Sequence, residues 1–144
     1  MLDNFSTHKV VLAEVPAAIT GTATSDTIDL LGFNSVTCYV AFGADTTPPD
    51  GSNYWTCTIH ESDAASSGFA AAAAGDVIGN TANAFGVVNS GDDDNAIYAL
   101  GYKGTKRYLR IVVTETGAVS TTICAFAVLG NASDGPVSNT VQGS

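Results

Sequence analysis

The sequence predicts an all-β protein: a two-layer antiparallel β-sandwich with jelly-roll-like connections and at most one short helix, near residues 66–75. Three observations carry that prediction. Several segments alternate apolar and polar residues with period two, the period of a half-buried strand. The composition, 45% apolar and 13% charged with 15 Gly and an excess of Thr, Ser and Val, suits sheets rather than helices or disorder. Clusters of Gly, Pro, Asn and Asp punctuate the alternating segments.

Taken in order, residues 8–15 form a strand candidate that Pro16 ends or confines to a sheet edge, since proline offers no ladder donor. Residues 20–25 are a loop or an irregular strand, and 27–31 a short strand closed by Gly32. The cleanest alternation lies in 35–43, where Val36, Cys38, Val40 and Phe42 share a face. Pro48, Pro49, Asp50 and Gly51 then make a loop, and the strands on either side of it are expected to pair. In 53–61, Trp55, Cys57 and Ile59 point inward, with Tyr54, Thr56, Thr58 and His60 outward.

The alanine run 70–74 is the one place where helical preference can win, with Ser66 or Ser67 as cap, Gly75 as stop and Phe69 as anchor. Short strands are expected at 76–79 and 85–88. Strands at 95–101, 108–114 and 121–129 then read as a three-stranded meander with the middle strand basic. Val10, Ile28, Val36, Trp55, Ile97, Ile111 and Ile123 mark the principal strand centres. A length of 144 residues suits one domain, 1–144, with an N-terminal arm 1–8 and a C-terminal tail 131–144.

A net charge of −9 with only five basic residues argues against direct binding of nucleic acid, because few phosphates can be neutralised. No apolar run approaches the roughly 20 residues of a membrane span. The start lacks a basic region followed by an uninterrupted apolar one, so no signal peptide is expected, and three cysteines fit folding in a reducing cytosol.

No residue set points to catalysis, a metal or a cofactor. Asp92, Asp93 and Asp94 form an acidic loop without the spacing of a calcium site, and a solvated loop is the plainer reading. His60 and Glu61 are neighbours on a strand and face opposite ways, and neither His8 nor His60 has a second ligand at zinc spacing. Cys38, Cys57 and Cys124 share faces with Val, Trp or Phe and read as small hydrophobes.

The basic strand stands out. Four of the five cations fall between 102 and 110, and Arg107 and Arg110 interrupt apolar strand faces, where arginine suits pairing with a carboxylate in a partly desolvated setting. The following strand has two apolar faces, Cys124, Phe126 and Val128 on one and Ile123, Ala125, Ala127 and Leu129 on the other, which demands a thick core or a subunit contact. The interface candidates are therefore Lys103, Lys106, Arg107, Tyr108, Arg110, Phe126 and Val128, with the acidic loop of a neighbouring copy as a partner for the cations.

Residues 29–36, 59–64 with 74–79, and 102–110 resemble small proteins encoded in the head-gene clusters of tailed bacteriophages, and the resemblance runs from about Thr27 to Pro136. It implies a capsid decoration, or cement, protein: a non-enzymatic β-sandwich module that binds the outer shell as an oligomer, with itself and the major capsid protein as partners. It implies assembly into virions after synthesis in the host cytoplasm. A carbohydrate-binding module displaying Tyr54, Trp55, Tyr98, Tyr102 and Tyr108 is the alternative, as is a head–tail connector or tail subunit.

Overall fold

The computed structural model describes residues 3–45, 47, 49–79, 84–90 and 95–139, with the backbone alone at 84–86. Among the described residues, eleven strands form two antiparallel sheets. They are β1 (Lys9–Ile19), β2 (Ala23–Thr24), β3 (Ile28–Asp29), β4 (Phe33–Phe42), β5 (Tyr54–Ser62), β6 (Ala70–Ala71), β7 (Val77–Ile78), β8 (Ala84–Val88), β9 (Ile97–Tyr102), β10 (Tyr108–Thr116) and β11 (Thr121–Ala132). The first sheet runs β1-β11-β4-β9-β7. The second runs β2-β10-β5-β6, with β3 also paired to β10 and β8 to β5. The chain crosses from β1 to the short β2 and β3 of the second sheet and back to β4, then alternates again at β4–β5 and through β9, β10 and β11, so the sandwich has jelly-roll connections.

Period-two patterning places the core as the sequence predicts. Val36, Cys38, Val40 and Phe42 of β4, Trp55, Cys57 and Ile59 of β5, Leu109, Ile111 and Val113 of β10, and Ile123, Ala125, Ala127 and Leu129 of β11 are all buried in one cluster. Each of the larger side chains contributes about 1.5–3 kcal/mol by leaving water. Ala125 and Ala127, small residues on the interior strand β11, leave room for the bulkier side chains opposite.

Three expectations are corrected. The strands at 95–101, 108–114 and 121–129 are not a meander: β9 and β11 flank β4 in the first sheet, while β10 lies between β5 and β2/β3 in the second. The connections at 103–107 and 117–120 therefore arch across the roughly 10 Å between layers instead of closing hairpins. For the same reason β4 and β5 do not pair. Cys38 and Cys57 face the same core from opposite sheets as free thiols, and burial pushes each up to about 12.

The alanine run is not an α-helix. Ala70–Ala71 pairs with His60 and Glu61 as β6, Ala72 is buried and donates to the Ile59 carbonyl, and a single 3-10 turn follows at Ala74–Asp76. A two-turn helix is marginal without packing, and the free backbone groups of β5 offer the segment better partners.

β1 continues through Pro16 to Ile19, with register shifts on both sides of Glu14, and it lies at the edge of its sheet as proline requires. Burial and then repulsion by Asp26 raise the Glu14 carboxyl above the usual range. Before β1, Asp3 Oδ1 accepts from the Phe5 and Ser6 amides, closing a turn. Asn139 ties this turn down by donating to the carbonyls of Phe5 and His8.

Candidate interaction surfaces

The basic residues predicted as interface candidates gather at one end of the sandwich, where the β3–β4 and β9–β10 connections meet. Most are engaged within the subunit. Arg107 donates through Nε and Nη2 to the two carboxylate oxygens of Asp29, 2.8 Å each, in a side-on fork, and its guanidinium lies 4.9 Å over the Tyr108 ring. That fork, with the Leu31 amide and Lys9 adding to it, holds Asp29 below the usual carboxylate range. Lys106 pairs with Asp63.

Arg110 is engaged within the subunit too. Its guanidinium stacks on Phe69, 4.1 Å from the ring centre, and its Nε donates to Thr27 Oγ1 at 3.0 Å. The segment 63–69 thus arches over the outer face of β5 and β10. Lys103 is exposed and forms no ion pair among the described residues. Asp92, Asp93 and Asp94 lie outside the described residues.

Tyr102 organises this end. Its buried ring sends the hydroxyl to Glu61 Oε2 at 2.6 Å, and the hydroxyl accepts the Lys106 amide at 3.0 Å. Burial, and then the bond to Glu61, raise the phenol well above its ordinary value. His60, one residue earlier, sits on the opposite side of β5 across from Arg110, and burial lowers its imidazole. The pair therefore diverges as predicted. Beside Tyr102, a cleft of about 950 Å³ is lined by Leu30, Leu31, Phe33 and Ile78, with Lys103 and Arg107 also on its wall.

Phe126 and Val128 lie elsewhere, on the outer face of the first sheet. The register carries rows of side chains across it. One runs Leu12, Phe126, Tyr39, Ala99, and a second runs Val10, Val128, Thr37, Gly101, Ile78. A third brings Cys124, Ala41 and Ile97 together. Tyr39 and Phe126 stack with centroids 5.1 Å apart at the middle of the face. None of these side chains is Asp, Glu, Lys or Arg. Val10, Ile78 and Ile97 are 50%, 56% and 66% exposed, unusually high for large aliphatic residues on one face.

The sequence indicated only the β11 part of this face, through the doubly apolar pattern at 123–129. Tyr39, Thr37 and Ala99 join it through strand order, which periodicity does not encode. Among the described residues, no group of three or more His, Cys, Asp or Glu is placed to hold a metal ion, and no helix is long and apolar enough to cross a membrane.

These features define a β-sandwich module with one outer face whose central rows are uncharged among the described residues. No protein-family model and no curated protein matches the sequence. Among solved structures, the chain is similar to the Clostridium thermocellum endo-1,4-β-D-xylanase 10B solved as CBM22-1 and GH10 modules with xylohexaose, at 12% identity and a TM-score of 0.49 over 98% of this chain and 28% of that one. A family two carbohydrate esterase from Cellvibrio japonicus gives 8% identity and 0.34 over 94% and 36%. Infectious bursal disease virus, Gt strain, gives 14% and 0.27 over 90% and 42%. The chain thus spans well under two thirds of each, and nothing about ligand, partner or activity is carried over from them.

Proposed function

We infer that the protein is a non-enzymatic structural subunit that decorates and stabilises a larger shell, the outer surface of a tailed-bacteriophage capsid, through contacts with other copies and with the major capsid protein. The observation that carries this reading is the uncharged outer face of β1-β11-β4-β9-β7. An antiparallel sheet with one solvated face ordinarily alternates apolar-in and polar-out. Here the outward positions of β4 and β11 run Ser35, Thr37, Tyr39, Ala41 and Thr122, Cys124, Phe126, Val128, uncharged throughout and aromatic or aliphatic at the middle, a composition that fits a surface covered on assembly.

The head-gene resemblance of 27–136 supports the particular shell, and the free subunit's charge of −9 suits a protein kept soluble until it docks. Four of the five aromatic side chains that would serve a sugar-binding module, all but Tyr54, are less favourably placed. Trp55 and Tyr102 are buried, Tyr98 meets Phe42 edge-on and Tyr108 lies beneath Arg107.

The test is co-sedimentation of the purified chain with tailed-phage heads lacking their decoration protein, followed by electron microscopy of heads with and without it. Added density at regular positions on the outer shell is the expected result. Heads that stay bare at saturating protein would refute the assignment.

A further inference from the structure

We propose that the outer face of the first sheet is a self-association surface, on which a second copy of this chain packs face to face about a two-fold axis near Tyr39 and Phe126. This rests on the reading of that face as an assembly surface and names its partner.

Charge selects the occupant. Each subunit carries −9, so two copies repel wherever carboxylates would be brought together. The outer side of the second sheet presents His60, Arg110 and the Asp29–Arg107 pair, groups that would be desolvated at a contact. Among the described residues, the rows of the first sheet that carry Val10, Leu12, Tyr39, Phe126 and Val128 hold no formal charge, so two copies centred on Tyr39 and Phe126 meet there without burying an ion, with Lys103 at the rim of the face. A two-fold contact places the same patch on itself, and an uncharged apolar patch is complementary to its own image.

The area is sufficient. β1, β4 and β11 each run ten residues or more. At about 3.3 Å per residue and about 4.8 Å between strands, with β9 and β7 added, the face has a projected area on the order of 600 Å². Two such faces bury on the order of 1,200 Å², the lower bound for a specific interface, which predicts a concentration-dependent dimer. Aligned packing of two twisted sheets at about −30° would give a four-layer stack with the aromatic pairs at its centre.

Cys124 reports on the contact directly. It is partly exposed on this face, whereas Cys38 and Cys57 are buried. In a monomer its thiol reacts with a maleimide, and in the proposed dimer it is covered.

The experiment is sedimentation equilibrium of the isolated full chain between about 1 µM and 1 mM, a range that brackets small interfaces, with maleimide labelling of Cys124 across the same range. Expected are a mass rising toward two chains, a labelling rate falling in step, and a dissociation constant raised at least about 30-fold by Phe126→Glu. Thr37→Lys, at a position with no core contact to lose, should do the same, with both variants retaining the parent circular dichroism. A chain that stays monomeric with undiminished labelling at 1 mM overturns the proposal. So does a dimer indifferent to both substitutions. Head binding by a strictly monomeric chain would leave the decoration reading standing and this one refuted, and dimerisation without head binding would do the reverse.

Discussion

Gly104→Ala should destabilise the protein by about 2–4 kcal/mol although the residue lies in a surface connection. A Cβ built at Gly104 would fall on the Tyr102 ring, 2.6 Å from Cε2 and closer still to Cζ and the hydroxyl oxygen. Ring and backbone cannot both stay where they are. Forcing extra volume into a packed site costs about 1–3 kcal/mol. Displacing the ring also breaks the bond to the Glu61 carboxylate, about 1.5–3 kcal/mol, and the one from the Lys106 amide, about 0.5–1.5 kcal/mol, with partial recovery because Glu61 can turn to water. Urea unfolding at neutral pH measures the sum. At this chain length the loss corresponds to a fall in Tm of roughly 10 °C. Gly75→Ala is the matched control: nothing lies within 4 Å of its Cβ and its φ is not in the left-handed region, so it should be neutral or stabilising by about 0.4–1 kcal/mol. Tyr102→Phe combined with Gly104→Ala should cost less than the two singles together, because both break the same bonds. A Gly104→Ala protein within about 0.5 kcal/mol of the parent would show that Tyr102 is not seated under the β9–β10 connection, and that the cations beside it are not held as described.

The remaining predictions concern the charged end and the edge strand. Phe69→Ala should cost about 1–2 kcal/mol, by loss of the Arg110 stack and of partial burial, and hydrogen exchange should quicken across 63–69; an unchanged urea midpoint would contradict it. His60 is lowered by burial, so the stability it contributes is complete above its unfolded value of about 6.5 and is lost as pH falls below that. Asp29 is lowered by Arg107, so its contribution is complete above about 3.9 and is lost on further acidification. Stability should therefore fall in two steps from pH 8 to pH 3, His60→Gln removing the upper and Asp29→Asn reducing the lower, which Asp50, also held low by the Ser52 amide and by Asn53, shares. Urea midpoints that stay flat over that range would refute both. Glu14 runs the other way: its raised carboxyl disfavours the charged form in the fold, so Glu14→Gln should stabilise at pH 7, by roughly 0.5 kcal/mol as measured by urea unfolding.

Inward faces were legible residue by residue, because an apolar side chain at every second position leaves a strand only one way to sit on a core. Val36 to Phe42, Trp55 to Ile59 and Leu109 to Val113 are buried as their alternation requires. Strand neighbours were not legible. Period two states which side of β10 faces inward and nothing about whether β9 or β5 lies beside it, and connections as short as 117–120 can turn within a sheet or arch between sheets. The partners of the cations were hidden for a related reason: Asp29 and Asp63 precede Arg107 and Lys106 by 78 and 43 residues, and no local pattern marks such pairs. The alanine run misled because intrinsic propensity is weak where an open strand offers hydrogen bonds.

The two surfaces on which sheets usually associate are treated differently in this chain, and the difference argues for closed assembly over fibre growth. At the β1 edge, Pro16 removes a donor, register shifts on both sides of Glu14 break the ladder, and Asn139 Oδ1 occupies the Val10 amide at 3.3 Å. At the other edge of the sheet β7 is only two residues long. Strand addition is thus obstructed at both edges of the first sheet, yet among the described residues no charge stands in the rows of its face that carry Tyr39, Phe126 and Val128. If the uncharged face were only a tolerated irregularity, a charge placed there would be silent in solution and on the shell, whereas Pro16→Val, by restoring an edge donor, would be the change that promotes association. The assembly reading orders them oppositely: Phe126→Glu abolishes the defined oligomer, and Pro16→Val adds open-ended aggregates without strengthening it. Light scattering of the two variants side by side decides between these orders, because one substitution acts on the face and the other on the edge of the same sheet.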